Sequence, residues 1–542
     1  MAISIYRHFS LPCTLLAMAI FISYAVLAPA CAGMGAAPSA RSLAPSLSPS
    51  PVPGPISSFV PPPGVMPVVV LQGDAYEMGY QYGLQVPEYI AVVRDAAWAS
   101  ALSIQSREEI LKNCSVYRRY IASELPGFDF PAFFRGISDA MNQQAIPFSE
   151  DDLIVMLYYA YTYAPKYPDH CTALAVYDNT TTGGMIGAVN FDFYTVPVNS
   201  YAVVLAMYPE DGYSCILPSG AGRLGSNSVV NEEGVVHFVT ASPTGGQGDT
   251  GPGTIGFLQL AYVGMRARSV SEAEGLIMNF TQVLGLNHLI ADQSGRAEVI
   301  ESTRARHAIR KMGDNGEKGH LIAANHYLNQ SMKPSQPVWD PREYYPSSYF
   351  RYITAEKQIT AAGKGLNYTG VRDILALTDW WDGKDWHYDD PWSGNSINRF
   401  EPDFATLYSL IAVVGDHIVS ICSGNPGLPY WGTLASGETG TYVNYSLGDS
   451  PEAMVQELKF QARMAMWRTV PLMAESPPDR AIVSWAEAED RYCEGVWWLD
   501  RAMLEDGKTF RAVALGRSAT AFSMVLATVG EIQRICKDRR ES

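Results

Sequence analysis

Several common chemical signatures are absent from this 542-residue sequence. The eight cysteines include no CxxC spacing and the nine histidines no HExxH pair, so no zinc or redox motif is present. There is also no GxSxG nucleophile motif and no EF-hand spacing. We therefore expect neither a metal nor a cofactor.

Basic residues are scarce. The chain has 39 Lys and Arg against 55 Asp and Glu, which gives a net charge of −16, and it contains no basic block. This balance is that of a poor nucleic-acid binder. Hydrophobic residues make up 47% of the chain, enough for a sizeable core in one large domain with additions or in two domains.

The N-terminus has the pattern of an export signal. Arg7 and His8 precede a long apolar run that ends in the small residues "APA", so residues 1–30 read as a signal peptide. An uncleaved signal anchor and a lipidated Cys31 are the alternatives. Residues 31–65 are rich in Pro, Ser and Ala and are expected to be a disordered tether. The predicted location is secreted or extracytoplasmic, with or without a membrane or lipid anchor.

The remaining sequence divides by periodicity into three regions. Residues 66–170 open with a strand and are then helical, until the prolines of "PKYPDH" end the pattern. Residues 171–450 contain many short strands and a few helices, one of them with an expected N-cap at Ser271. Residues 451–542 are helical again. This order predicts an α+β fold of layered sheets covered by helices. Within the last region, Cys493 and Cys536 are the expected disulfide pair if the compartment is oxidising.

Two motifs are set aside. "GAGRLG" (220–225) matches GxGxxG, but a turn and a strand follow it, so no helix N-terminus faces a pyrophosphate. "DWWDGKDWHYDDPW" (379–392) could line a substrate entrance or hold a cation. A surface loop that packs its own aromatic rings is the favoured interpretation.

Cys171 is the candidate reactive residue. A buried free cysteine is usually structural, but this one opens a strand directly after the turn-forming "PKYPDH". The strand turns back through "TTGGMIGAVNFDF", which brings Asn190 and Asp192 near its beginning.

Cleavage of the His170–Cys171 bond would give Cys171 a free α-amino group. A terminal amine has a pKa near 7.7–8.0 and a thiol near 8.5, so one residue would supply both a nucleophile and a base. Asp192 can orient the amine, and Asn325 can donate an amide N–H to an oxyanion. His326 is an alternative partner for Cys171 that sequence distance neither supports nor excludes.

At these residues the chain resembles the N-terminal nucleophile (Ntn) hydrolases, in particular the peptidase C45 group of acyl-coenzyme A:6-aminopenicillanic acid acyltransferases. The resemblance spans about residues 66–430 and is carried by six pieces in the family's order. They are residues 71–83, 171–193, 219–236, 287–302, 322–327 and 406–426.

The resemblance implies a four-layer αββα sandwich with a helical propeptide (66–170) and extra C-terminal helices. The precursor would cleave itself before Cys171, and the propeptide would stay bound as the partner chain of a heterodimer. The implied reaction passes through an acyl-enzyme on Cys171, with Asp192 and Asn190 holding the amine and the pocket and Asn325 donating to the oxyanion. The implied substrate is a small-molecule amide.

Three positions depart from the family pattern. His170 stands where Gly is frequent, Val189 where bile-salt hydrolases have Arg, and Thr240 where the acyltransferase has a second Asn. Thr240 can still donate a hydrogen bond. A hydrolase is the favoured prediction because an exported protein meets water. The alternatives are an acyltransferase, a phospholipase B-like lipid hydrolase, and an inactive tethered binding protein.

Overall fold

The structure is a computed structural model that describes residues 65–159, 171–194, 201–401, 404–427, 441–448, 450–474 and 477–541. The expected signal peptide, the linker up to residue 64, and His170 lie outside the described residues.

The N-terminal region is one strand followed by five helices. Capping boxes begin α1, α3 and α5, with N-caps at Asp74, Ser106 and Ser149. The elements are β1 (Val68–Gly73), α1 (Ala75–Gln85), α2 (Pro87–Leu102), α3 (Arg107–Glu124), α4 (Phe130–Gln143) and α5 (Glu150–Tyr158).

Eight strands form the first sheet, here called sheet A, in the order β1-β4-β5-β6-β7-β8-β9-β10. Only the β1–β4 pair is parallel among these neighbours. The later strands are β4 (Ala202–Pro209), β5 (Cys215–Gly220), β6 (Ser228–Asn231), β7 (Val236–Ser242), β8 (Gly285–Ala291), β9 (Ala297–Ser302) and β10 (His307–Lys311). Helices α6 (Gly256–Arg266) and α7 (Val270–Ile277) connect β7 to β8.

The second sheet, sheet B, has the order β11-β2-β3-β15-β16-β17, with β14 paired to β15. Its strands are β2 (Thr172–Val176), β3 (Ile186–Tyr194), β11 (His320–Ala323), β14 (Phe400–Glu401), β15 (Phe404–Val413), β16 (Ile418–Ser423) and β17 (Tyr442–Ser446). Between β11 and β14 lie α8 (Pro341–Tyr344), α9 (Pro346–Ala362), α10 (Tyr368–Leu375) and the hairpin β12–β13 (Trp380–Trp381, Trp386–His387).

Alternating side chains divide the apolar core into layers. One cluster joins sheet A to α1–α7, a second lies between the two sheets, and a third joins sheet B to α9 and α10. The expected α+β class, with two large sheets, N-terminal helices and C-terminal helices, is confirmed.

The C-terminal helices α11 (Pro451–Ala474), α12 (Asp479–Met503) and α13 (Lys508–Glu541) reach the layer between the sheets. On α13, the Thr520 hydroxyl accepts a hydrogen bond of 2.9 Å from the Val68 backbone N–H of the edge strand β1. Gln81 and Gln85 of α1 bond the backbone of Gln72 and Val70 on the same strand. These contacts cover a sheet edge that would otherwise present unpaired N–H and C=O groups.

Helix α13 is long and apolar enough to cross a membrane over Lys508–Lys537, but 83% of its apolar window is buried inside the molecule. Length and composition alone do not separate a spanning helix from a core helix. The burial is that of a core helix, packed against α12 and β1.

Two local predictions are wrong. The N-cap of α7 is Ser269, whose side chain accepts from the Glu272 N–H, because the helix begins two residues before the expected Ser271. Cys536 is a free, buried thiol, so the expected Cys493–Cys536 disulfide is not formed.

Candidate functional site

Cys171 lies directly before β2 and is 1% exposed. Strand β2 pairs antiparallel with β3, with Thr172 opposite Asn190. Continuation of this register aligns Cys171 with Phe191, and both side chains belong to the apolar layer between the sheets. The next residue, Thr172, and its cross-strand partner Asn190 point to the other face of sheet B. The start of β2 therefore presents groups to both faces of the sheet.

Asp192 is fully buried two residues beyond Asn190 on β3. Its Oδ1 accepts a hydrogen bond of 2.7 Å from the Thr406 hydroxyl, while Oδ2 has no hydrogen-bond partner among the described residues. Burial raises the pKa of Asp192 to about 6, even though the positive charges of Arg351 and Arg399 pull it down. A buried carboxylate oxygen is thus left for a donor that the described chain does not supply.

Asn190 is held in place by three hydrogen bonds of its side chain. Both of its donor hydrogens are used, because Nδ2 donates to the carbonyls of Leu375 and Ile397 at 2.9 and 3.0 Å. Its Oδ1 accepts from the Ser409 hydroxyl. Asn190 therefore fixes both ends of the segment between residues 375 and 397, and its N–H groups are not available to a ligand.

Asn325 follows β11 and is fully buried. Its Nδ2 donates to the Ala241 carbonyl at 2.6 Å, which uses one of the two amide hydrogens. The other hydrogen is the one that an oxyanion would need.

Thr240 does not fill the position of a second donor. Its hydroxyl donates to the Ala324 carbonyl and accepts from Asn287 Nδ2 at 3.2 Å. A hydroxyl has a single hydrogen, so the expected hydrogen bond from Thr240 to an oxyanion is excluded in this arrangement.

Arg351 of α9 joins these pieces, and the sequence analysis missed it. The guanidinium is fully buried and donates three hydrogen bonds of 2.7 Å, to the Cys171 carbonyl, the Thr172 hydroxyl and Asn325 Oδ1. One signal was available in the sequence. Arg351 falls on the same helical face as Tyr352, Ala355 and Ile359, and a charge on an apolar face needs a buried partner.

Arg399, also missed, lies close to Asp192. It is 3% exposed, its backbone N–H donates to the Thr406 hydroxyl that also bonds Asp192, and its Nη2 pairs with Glu401. Its Nε and Nη1 have no hydrogen-bond partner in the described part of the chain. Buried guanidinium donors are costly to leave unpaired, so these two nitrogen atoms are candidates for binding a carbonyl or anionic group.

His326 is not suited to be the base of a Cys–His pair. Its Nδ1 lies 2.7 Å from the Ser348 hydroxyl. Burial and the nearby charges of Arg310 and Arg351 lower the pKa of His326 to about 3, so the imidazole is a weak proton acceptor.

The two motifs set aside behave as predicted. "GAGRLG" forms the turn between β5 and β6, and a strand follows it. In the tryptophan-rich loop, Trp380 stacks on His387 with ring centroids 3.9 Å apart and Lys357 lies over Trp381, so the loop packs its own aromatics. Among the described residues no group of three His, Cys, Asp or Glu side chains could hold a metal ion.

The geometry thus places a thiol, an acceptor carboxylate and several fixed donors around the start of one strand. Such a set can perform nucleophilic attack on a carbonyl carbon and bind the oxyanion that forms.

A family model for acyl-coenzyme A:6-aminopenicillanic acid acyl-transferase matches residues 180–427. The match contains Asp192, Asn325, Arg351 and Arg399 and begins nine residues after Cys171. No curated protein sequence matches the chain.

Three solved structures are similar at low identity. Penicillin V acylase from Agrobacterium tumefaciens is 15% identical, with 51% of this chain and 92% of that chain covered and a TM-score of 0.30. The C2A mutant of conjugated bile acid hydrolase from Clostridium perfringens is 13% identical, covers 51% and 97%, and has a TM-score of 0.30. The Caenorhabditis elegans ortholog of N-acylethanolamine-hydrolyzing acid amidase is 13% identical, covers 45% and 93%, and has a TM-score of 0.31.

Residues 180–427 of this chain are thus similar to the acyl-coenzyme A:6-aminopenicillanic acid acyl-transferase family.

Proposed function

We propose that the chain is a secreted, self-processing hydrolase with an N-terminal cysteine that cleaves small N-acyl or peptide-like amides. In this proposal the sheets and their helices are the four-layer αββα sandwich of Ntn hydrolases. Residues 66–170 are the propeptide, which remains bound after cleavage before Cys171. Residues 1–30 direct export, and residues 31–65 tether the folded part.

One observation carries the proposal. Arg351 holds the Cys171 carbonyl and Asn325 at the same time, while Asp192 Oδ2 stays buried without a partner two residues from Asn190. An α-amino group freed at Cys171 is a donor of the kind that this oxygen lacks, and an orphaned buried carboxylate oxygen needs one.

The proposed chemistry has two stages. In processing, Cys171 Sγ attacks the carbonyl carbon of His170, the C–N bond breaks, and water hydrolyses the resulting thioester. In turnover, the free amine takes the thiol proton as Sγ attacks the substrate amide and then gives it to the leaving amine. Water hydrolyses the acyl-enzyme and restores the thiol.

The substrate is expected to carry an anionic or strongly accepting group near the scissile bond. Arg399 has two buried nitrogen atoms, Nε and Nη1, with N–H donors for such a group, and its backbone N–H bonds the Thr406 hydroxyl that binds Asp192. Val189 stands on β3 where bile-salt hydrolases have Arg, and the guanidinium near Asp192 comes instead from Arg399, which lies directly before β14.

Turnover of a panel of N-acyl-4-nitroanilides, with mass spectrometry of the trapped acyl-enzyme, tests this proposal. We expect the acyl adduct on Cys171 and no turnover in Cys171→Ala, whereas Cys422→Ala, which removes a buried cysteine of β16, keeps its activity. Equal activity in the two variants would contradict the proposal. Transfer of the acyl group to an added amine in preference to water, measured as the ratio of N-acyl amine to free acid, would indicate an acyltransferase. A single intact band with no adduct would indicate a binding protein.

A further inference from the structure

A closed network of buried charges lies beside the candidate site without touching Cys171 or Asp192. Arg310 of β10 donates from Nε to Glu301 of β9 at 3.3 Å and from Nη1 to Glu317. All three side chains are at most 2% exposed. The network has two carboxylates for one guanidinium, so it carries a net charge of −1.

The first attachment of this network is to β11, the edge strand that pairs with the nucleophile strand β2. Ile322 lies opposite Leu174 in that pair. Glu317 Oε1 accepts the Ile322 backbone N–H at 3.0 Å, and Arg310 Nη2 donates to the Ile322 carbonyl at 2.7 Å. Both backbone groups of one edge residue are therefore fixed by side chains of the network.

The second attachment lies just beyond Asn325. Glu301 Oε1 accepts the Leu328 N–H and Glu301 Oε2 the Asn329 N–H, each at 3.0 Å. The segment from Ile322 to Asn329 is thus held at both ends by carboxylates that share Arg310. Asn325 lies inside this segment, with its own side chain bonded to Ala241 and Arg351.

We propose that Glu301 and Glu317 are positioning residues for amide cleavage, which fix Asn325 relative to the strand that carries Cys171. This inference rests on the proposed function, in which the remaining Asn325 N–H stabilises the oxyanion. A donor that acts in the transition state changes kcat, whereas a change in uniform binding alters KM.

Glu301→Gln is a sharp test because it is nearly isosteric. It leaves a neutral Arg310–Glu317 pair, but it turns one acceptor oxygen into an NH2 group, so either Leu328 or Asn329 loses its acceptor. Glu298→Gln is the matched control. Glu298 is on the same strand, is 2% exposed, and contacts Glu274 instead of the network.

With the nitroanilide substrates, Glu301→Gln and Glu317→Gln should lower kcat by about 10- to 100-fold with KM changed less than about threefold. Glu298→Gln should stay within about twofold of the wild type. In an Asn325→Ala background, Glu301→Gln should lower kcat hardly any further, since the residue that Glu301 positions is gone. Equal kcat in Glu301→Gln and Glu298→Gln, or independent effects in the double variant, would overturn the inference.

Hydrogen exchange measured on the full chain separates this inference from the proposed function. Backbone amides of residues 322–329 should exchange at least about tenfold faster in Glu301→Gln than in Glu298→Gln, whether or not any amide is cleaved. Unchanged protection would overturn the positioning role. If exchange is faster in Glu301→Gln but the wild type cleaves no substrate, the positioning role stands and the proposed function is refuted.

Discussion

Arg310 and Arg399 are both buried guanidinium groups, and they lie in two different kinds of surroundings. Arg310 has a carboxylate or carbonyl partner at Nε, Nη1 and Nη2. Arg399 pairs with Glu401 through Nη2, while Nε and Nη1 have no partner within the described ranges. Asp192 beside it also keeps one oxygen without a donor. The first cluster is fully paired within the described residues, whereas the second keeps buried polar atoms without a partner there. In the proposed function, a ligand or the amine of Cys171 completes the second cluster.

The largest expected effect is on stability. Arg310→Met leaves two buried carboxylates without their cation and should lower the free energy of unfolding by about 3–5 kcal/mol. Arg399→Met removes a guanidinium that already lacks two partners, and it leaves the partly exposed Glu401 and the nearby buried Asp192 without its charge. It should therefore lower the free energy of unfolding by less, about 1–2 kcal/mol. Chemical denaturation of both variants measures the two losses. Equal losses in the free energy of unfolding would show that the two arginines do not differ in how they stabilise the fold.

The second prediction concerns Asp192. Asp192→Asn should lower kcat/KM by about 100-fold or more, because the base loses its anionic acceptor, while the unfolding midpoint stays unchanged or rises slightly. Protonation of the Cys171 amine sets the main acid limb of the wild-type profile, and protonation of Asp192, whose pKa burial raises to about 6, should steepen the loss of activity at or below pH 6. Asp249→Asn is the control, because Asp249 also has a buried oxygen without a described partner. Full activity in Asp192→Asn would remove its assigned role.

The third prediction tests whether the unpartnered nitrogen atoms of Arg399 bind an anionic group of the substrate. Arg399→Met should raise KM by about tenfold for anilides with a carboxylate near the scissile bond and should change KM little for uncharged anilides. Steady-state kinetics on matched pairs of substrates gives the ratio. The same change in KM for both members of a pair would show that Arg399 does not bind the anion.

The fourth prediction concerns a buried imidazole pair that also keeps an unpartnered atom but lies away from Cys171. His237 Nε2 and His288 Nδ1 are 3.0 Å apart between sheet A and its helices, and His237 Nδ1 has no partner among the residues described. Burial lowers the pKa of His288 from 6.5 to about 3. The unfolded chain therefore binds the proton first as the pH falls, and stability present above pH 6.5 is lost between about pH 6.5 and 3.

Removal of this imidazole should make the stability less dependent on pH. Between pH 6 and 4, we expect the free energy of unfolding of His288→Gln to fall by about 1.4 kcal/mol less per pH unit than that of the wild type. Denaturation at several pH values measures the slope. Parallel slopes would mean that His288 is not held neutral in the folded chain.

Periodicity predicted the backbone of the site better than its side chains. The strand pair of residues 171–193 and the hairpins that turn near residues 293–295 and 415–416 follow from short-range patterns, which the ladders reproduce. The predicted N-cap of α7 was two residues too late because Ser269 and Ser271 both have a Glu three residues further on and so offer the same capping pattern.

Arg351 and Arg399 could not be placed from the sequence because their partners are distant in the chain. Arg351 contacts a carbonyl 180 residues away, and no local pattern encodes that approach. Asn190 was placed on the correct strand, but its contacts with Leu375 and Ile397 depend on where the segment after α10 returns. Thr240 likewise loses its free hydroxyl hydrogen to Ala324, a neighbour that only the packing of the two sheets brings close.

N-terminal sequencing of the fragments from a folded, active preparation shows whether the bond before Cys171 is cut. We expect two chains, with the larger beginning Cys-Thr-Ala-Leu at residue 171, and a single uncleaved chain in Cys171→Ala. An active preparation in which the bond before Cys171 is intact would contradict this expectation, because Asp192 Oδ2 would then have no amine to orient and the thiol no base.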